Sequence, residues 1–173
     1  GGLNLFSSAY LPNAGTITGP DSVCTGTSVT LSNAIPGGTW SAGNTNAAVS
    51  GTGIVTGLSN GTTPISYAVS NSCGTATAVK IVTIVSIPTA GGISGSSMVC
   101  MGSGITLTAS SPGGTWSASN GNAIVAGPGI IHGVTVGLDT IFYTVSNSCG
   151  SSVTSKPITI NPVPVVSPIS GPT

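Results

Sequence analysis

Along this chain, apolar side chains alternate with hydroxyl-bearing ones in short runs of period two. Val29 and Leu31 alternate with Ser and Thr, as Ile105 and Leu107 do later, and Ile65, Tyr67 and Val69 alternate with Ser66, Ala68 and Ser70. Successive side chains of a strand point to opposite faces, so this alternation predicts half-buried strands. Val79, Ile81 and either Val82 or Ile84 form a further run. Gly and Pro clusters at 36–38, 51–53, 57–61 and 73–74 interrupt the runs at the spacing of a sandwich or barrel. No segment carries an amphipathic helical period. The pattern predicts an all-β chain in which two small sheets pack face to face, each burying one side of its strands.

Slid against itself, the sequence matches at one dominant offset, the one that superposes Cys24 on Cys100, Trp40 on Trp116, Cys73 on Cys149 and Lys80 on Lys156. The segment Pro36-Gly37-Gly38-Thr39-Trp40-Ser41-Ala42 recurs from Pro112 to Ala118, and Val69 to Gly74 recurs as Val145 to Gly150. This is a tandem repeat. Its expected boundaries are residues 13–87 and 88–163, joined through the short Pro-bearing linkers at Ile87-Pro88 and Val163-Pro164. Residues 1–12 are expected to end a preceding copy, with Leu3 and Leu5 in the register of Val79 and Ile81. Residues 164–173, where Ile169-Ser170-Gly171 repeats Ile17-Thr18-Gly19, are expected to begin a third.

Composition removes most functional classes. Among 173 residues there are two Lys, two Asp, no Arg and no Glu, a charged share of 2% against an ordinary ~25%. Two isolated lysines cannot form the basic groove that phosphate binding requires, so no nucleic-acid partner is expected. With 39% apolar residues and zero net charge, the chain does not have the composition of a disordered one. No apolar run approaches the ~20 residues of a membrane-spanning helix, so no helical span is expected. The four cysteines, equally spaced within each copy, predict disulfides and an oxidising compartment.

The motif string Gly26-Thr27-x-Val29-x-Leu31, Thr39-Trp40-Ser41, Ala48-Val49, Gly53-Ile54-Val55-Thr56-Gly57, Gly61-Thr62 and Ile65-Ser66-Tyr67 resembles the group-two bacterial immunoglobulin-like repeats of invasin- and intimin-type adhesins. The Val-Cys before Gly-Thr and the Asn-Ser-Cys-Gly hairpin are similar to repeats in very long secreted surface proteins of Bacteroidetes. The second copy departs from the pattern at His132, which stands where the first has Thr56. The resemblance implies an immunoglobulin-like sandwich at the bacterial cell surface, serving as a spacer, fibre or adhesin stalk. Fold alone licenses no ligand.

Catalytic equipment is not expected. With one His and two Asp, a nucleophilic triad, a carboxylate pair and a calcium cage all lack raw material, and no metal or other cofactor is implied. His132 is expected as an exposed turn residue without a role. Asp21-Ser22-Val23 and Asp139-Thr140-Ile141 resemble the Asp-Ser/Thr-aliphatic acceptor of O-glycosylated Bacteroidetes surface proteins, which marks Ser22 and Thr140 as candidate glycan sites. The competing reading is that each Asp caps a turn through its own backbone. Trp40 and Trp116, at the start of a central strand, are expected as core anchors rather than sugar platforms.

Three functional readings follow: a rigid stalk or fibre of repeats, a recognition module for glycans or other surface proteins, and a filament subunit that adds a strand to neighbouring copies of itself. So little charge also predicts that glycans or lateral packing shield the surface. The Cys-Trp-Cys order resembles that of immunoglobulin domains, and one bond per repeat is expected, Cys24 to Cys73 and Cys100 to Cys149. The alternative is Cys24 to Cys149, because a strict immunoglobulin topology places the two cysteines of one repeat at opposite ends.

Overall fold

The computed structural model describes residues 10–166. Both expected flanking part-copies, with Leu3, Leu5 and Ile169 to Gly171, lie largely or wholly outside the described residues. The chain divides into two compact units with the boundary after Ser86.

The first repeat contains β1 (Ile17–Thr18), β2 (Ser22–Cys24), β3 (Ser28–Thr30), β4 (Ser32–Asn33), β5 (Thr39–Ala42), β6 (Ala47–Val49), β7 (Ile54–Gly57), β8 (Gly61–Asn71) and β9 (Gly74–Val85). The order β2-β9-β8-β5 forms one layer, while β3-β7-β6 and the pair β1-β4 form the other. The second repeat copies this with β10 (Ile93–Ser94), β11 (Met98–Cys100), β12 (Gly104–Thr106), β13 (Thr108–Ala109), β14 (Thr115–Ala118), β15 (Ala123–Gly127), β16 (Ile130–Gly133), β17 (Gly137–Asn147) and β18 (Gly150–Asn161). Its sheets have the orders β11-β18-β17-β14, β12-β16-β15 and β10-β13. In each repeat the edge strand, β2 or β11, runs parallel to its neighbour, β9 or β18, and all other strand pairs are antiparallel. These are immunoglobulin-like sandwiches.

Both layers feed one core per repeat. In the first, Val23, Leu31, Ala47, Val55, Ile65, Val82 and Ile84 are buried together. In the second, Val99, Leu107, Ala123, Ile131, Ile141, Ile158 and Ile160 take the same places. The inner face of β9 is therefore the Val82–Ile84 parity, and Val79 and Ile81 are exposed on the opposite face. The run Lys80-Ile81-Val82-Thr83-Ile84-Val85 is apolar on both parities. Its pairing with β8, Thr63 opposite Val82 and Gly61 opposite Ile84, settles which face turns inward.

The recurring Pro-Gly-Gly-Thr-Trp segment makes the turn into β5 and β14. Gly37 holds φ at 82°, a backbone region that favours glycine. At Gly38 an added Cβ would lie 2.4 Å from the Tyr67 ring, because the Tyr67 hydroxyl accepts from the Gly38 amide at 2.8 Å and donates to the Ile35 carbonyl at 2.7 Å. Tyr143 closes the same turn on Gly114 and Ser111.

Candidate functional site

In each repeat the loop before β6 or β15 is folded against the central strand β8 or β17 by buried polar contacts. Thr63 and Asp139, at equivalent positions on β8 and β17, are the two buried polar side chains among the described residues. Thr63 donates its hydroxyl to Asn44 Oδ1 at 2.7 Å. Asp139 does more. Its Oδ1 accepts from the Ser119 hydroxyl at 2.8 Å and from the amides of Ser119, Asn120 and Thr140, and its Oδ2 accepts from the Ala123 amide at 2.8 Å. Burial pushes this carboxyl up, but the Ser119 hydroxyl and the Ala123, Thr140 and Asn120 amides outweigh it and hold the group below the usual carboxylate range. The arrangement clamps the 119–123 loop to β17.

That use of Asp139 bears on the candidate glycan sites. Asp139 is 2% exposed, and Thr140 is half-buried within β17, opposite Pro157 of β18. Ser22 is exposed at the start of β2, and the neighbouring Asp21 forms an ion pair with Lys80 on β9. Lys156, the counterpart of Lys80, belongs to the repeat in which Ser97 replaces Asp21.

Trp40 and Trp116 are half-buried and pack against the cores from β5 and β14. Each meets a tyrosine of the neighbouring strand, with ring centroids 4.7 Å apart for Trp40–Tyr67 and 4.8 Å for Trp116–Tyr143. Shallow open clefts adjoin both, one lined by Thr30, Ser32, Thr52 and Trp40, the other by Thr115, Trp116, Val125 and Pro128. His132 is not a turn residue: it lies inside β16, opposite Gly104 of β12 and Ile124 of β15. A Cβ on Gly104 would come 3.1 Å from the imidazole, so the small residue makes room for the large one. No three His, Cys, Asp or Glu side chains gather among the described residues.

The cysteines correct the expected pairing. Cys24 ends β2 opposite Val85, the last residue of β9, whereas Cys73 immediately precedes Gly74, the first. The 12 residues of β9 lie between them. At ~3.3 Å per residue that is about 40 Å, several times the ~7 Å that a disulfide tolerates between Cα atoms. In the second repeat Cys100 stands opposite Asn161, at the end of β18, and Cys149 immediately precedes Gly150 at its start. Cys100 carries an exposed free thiol. Neither within-repeat bond fits the topology, and the equal spacing of the cysteines in the two copies reflects the repeat rather than proximity.

Each cysteine instead marks one end of its sandwich. Thr25 donates its amide to the Val85 carbonyl at 2.9 Å, and its hydroxyl lies 3.0 Å from that of Ser86, so Cys24 sits where the chain leaves the first repeat. An added Cβ on Gly150 would lie 3.4 Å from the Ile87 side chain, so Cys149 sits where the chain enters the second. Leu11 takes the place of Ile87 against Gly74 in the first repeat.

No family model matches the chain, and no curated protein matches it. Among solved structures it is similar to domains 4 and 5 of the S-layer protein SbsC, at 16% identity and a TM-score of 0.35, covering 88% of this chain and 100% of that one. It is also similar to an I-band fragment of titin, at 12% identity and a TM-score of 0.43, covering 89% of this chain and 66% of that one. A third is a SusE-like surface-located polysaccharide-binding protein from the Bacteroides thetaiotaomicron heparin utilisation locus, at 11% identity and a TM-score of 0.34. There the match covers 88% of this chain but 34% of the other.

Proposed function

We propose that this chain is a structural part of an extracellular stalk or fibre, of the bacterial group-two immunoglobulin-like kind, in which each sandwich is a link that carries tension. The observation that supports this most is the parallel pairing of β2 with β9, repeated by β11 with β18. The chain approaches β2 at its start and leaves β9 at its end, so a pull on the two termini of the repeat draws these strands past one another. The bonds from Thr83 N to Asp21 O and from Thr25 N to Val85 O are then loaded together instead of one at a time. The second repeat offers the same arrangement, from Thr159 N to Ser97 O and from Met101 N to Asn161 O. Its partners are neighbouring repeats or copies of the same kind, and it needs no cofactor. Cysteines and a near-absence of charge are in keeping with the outside of a cell.

The rival reading, a module that binds glycans or another surface protein, has the half-exposed Trp40 and Trp116 clefts to draw on. Against it, both indoles already face a tyrosine and the core. A glycan array probed with the two-repeat chain separates the readings. No retained glycan is expected; retention that Trp40→Ala or Trp116→Ala abolishes, with folding intact, would replace the stalk by a recognition module.

A further inference from the structure

On β11 of the second repeat, Val99 is buried in the core, so Met98 and Cys100 on either side of it point to the opposite, exposed face. Cys100 carries a free thiol. The ladder with β18 sets Met98 beside Thr159 and Cys100 beside Asn161, and the next ladder adds Leu138 of β17 beyond Thr159. A thioether and a thiol thus share one face, and these neighbours carry no charge. The backbone beneath them is pinned: the Met98 amide donates to Ser96 Oγ at 3.1 Å, that hydroxyl donates to the Met98 carbonyl at 2.8 Å, and the Cys100 carbonyl accepts from the Ser103 amide at 3.0 Å. In the first repeat Ser22 stands in the place of Met98, so Cys24 has no thioether two residues before it. The other methionine, Met101, follows Cys100 past the end of β11 and forms a bridge with Gly133 of β16, in the other sheet.

We propose that Met98 Sδ and Cys100 Sγ form a two-sulfur site for a soft, closed-shell monovalent cation, copper(I) or silver(I). Thiolate and thioether are the ligands that select such ions, whereas hard cations require the oxygen donors of carboxylates and carbonyls. Residues two apart on a strand are about 6.6 Å apart. The rotatable bonds of methionine let its sulfur close that gap to the ~4.6 Å spanned by two metal–sulfur bonds of about 2.3 Å. On binding, the Cys100 thiol releases its proton to solvent, and the thiolate and the cation cancel in charge. The resulting neutral site suits the uncharged surroundings of Leu138, Thr159 and Asn161. Because β11 is an edge strand, the pair is open on its far side to an incoming ion. The site goes beyond the stalk role, which does not depend on it.

Titrating the complete chain with silver(I) and following the methionine methyl signals by NMR tests this. The chain has two methionines, so Met98→Leu and Met101→Leu assign one signal each, and Met101 serves as the reference for a thioether outside the site. Met98, Cys100 and Met101 are all exposed, so these substitutions leave the core untouched. The Met98 methyl should shift and saturate at one silver ion per chain while the Met101 methyl stays in place. In Cys100→Ser the same shift should need at least about ten-fold more silver, since losing a ligand costs no less than losing a group that orients one. A Met98 methyl that does not move at one silver ion per chain, one that moves equally in Cys100→Ser, or a Met101 methyl that moves along with it overturns the site.

Discussion

The two repeats share a backbone and differ in how they fill three polar positions. Thr63 meets Asn44 in the first, and Asp139 replaces it in the second with five accepted bonds around one carboxylate. Ser28 and Thr56 exchange a hydroxyl contact at 2.8 Å across β3 and β7, while Gly104 and His132 take those places in the second. Asp21 pairs with Lys80, whereas Ser97 occupies the Asp position near Lys156. The apolar core barely changes: the two clusters match position for position. The sandwich is specified by its apolar parity and its turns, and each copy satisfies its buried polar atoms by its own local solution.

The largest difference expected is at the central strand. Asp139→Ala strands four backbone amides and a hydroxyl, and should destabilise the second repeat by about 3 kcal/mol, against about 1 kcal/mol for Thr63→Ala in the first. Hydrogen exchange resolved by peptide in the complete chain reads the two repeats separately; equal losses would break the comparison. Acid sharpens it. Because the folded-state pKa of Asp139 is lowered, its stabilisation is fully present above the unfolded value of ~3.9 and is lost as pH falls through the folded one. The second repeat should therefore weaken below about pH 4 in the wild type and lose that acid sensitivity in Asp139→Asn. Fluorescence of the Trp40→Phe chain, which reports Trp116 alone, follows this transition.

A smaller effect should be shared by both repeats. Gly38→Ala and Gly114→Ala each drive a methyl against a tyrosine ring at 2.4 Å and a carbonyl oxygen at 2.9 or 2.7 Å. This should cost about 2 kcal/mol in either copy. A marked asymmetry in thermal unfolding of the two variants would show that the turn is not equivalent. The smallest effect belongs to the surface. Asp21→Asn removes the ion pair to Lys80, whose Asp21 side chain is 87% exposed, and should change first-repeat stability by no more than about 0.5 kcal/mol, vanishing in high salt.

Much of this is legible in the residues because strand parity and turn chemistry are local. The repeat, the alternation through Ile65 and Tyr67, and the Asn-Ser-Cys-Gly turn all read directly. What the residues do not disclose is set by partners far apart in the chain. The run from Val79 to Ile84 satisfies either face, and only its ladder with β8 decides. His132 reads as a turn residue in the sequence because the compensating change, Ser28 to Gly104, lies on another strand. Asp139 shares the parity of Ile141 and Tyr143, a signal that it points inward, yet its partners Ser119 and Asn120 are some 20 residues away. The cysteine spacing suggests contact, whereas the length of β9 separates Cys73, just before its start, from Cys24, opposite its end.

Pulling the two ends of the first repeat is expected to load β2 against β9 in shear. With the chain reduced, the force that opens the first repeat through the chain ends can be compared with the force through handles at Asn60 and Ser86, which part β8 from β9 one pair at a time. The account predicts a rupture force several-fold higher through the ends, where the bonds between β2 and β9 must break together. Equal forces, or a lower one through the ends, would contradict it.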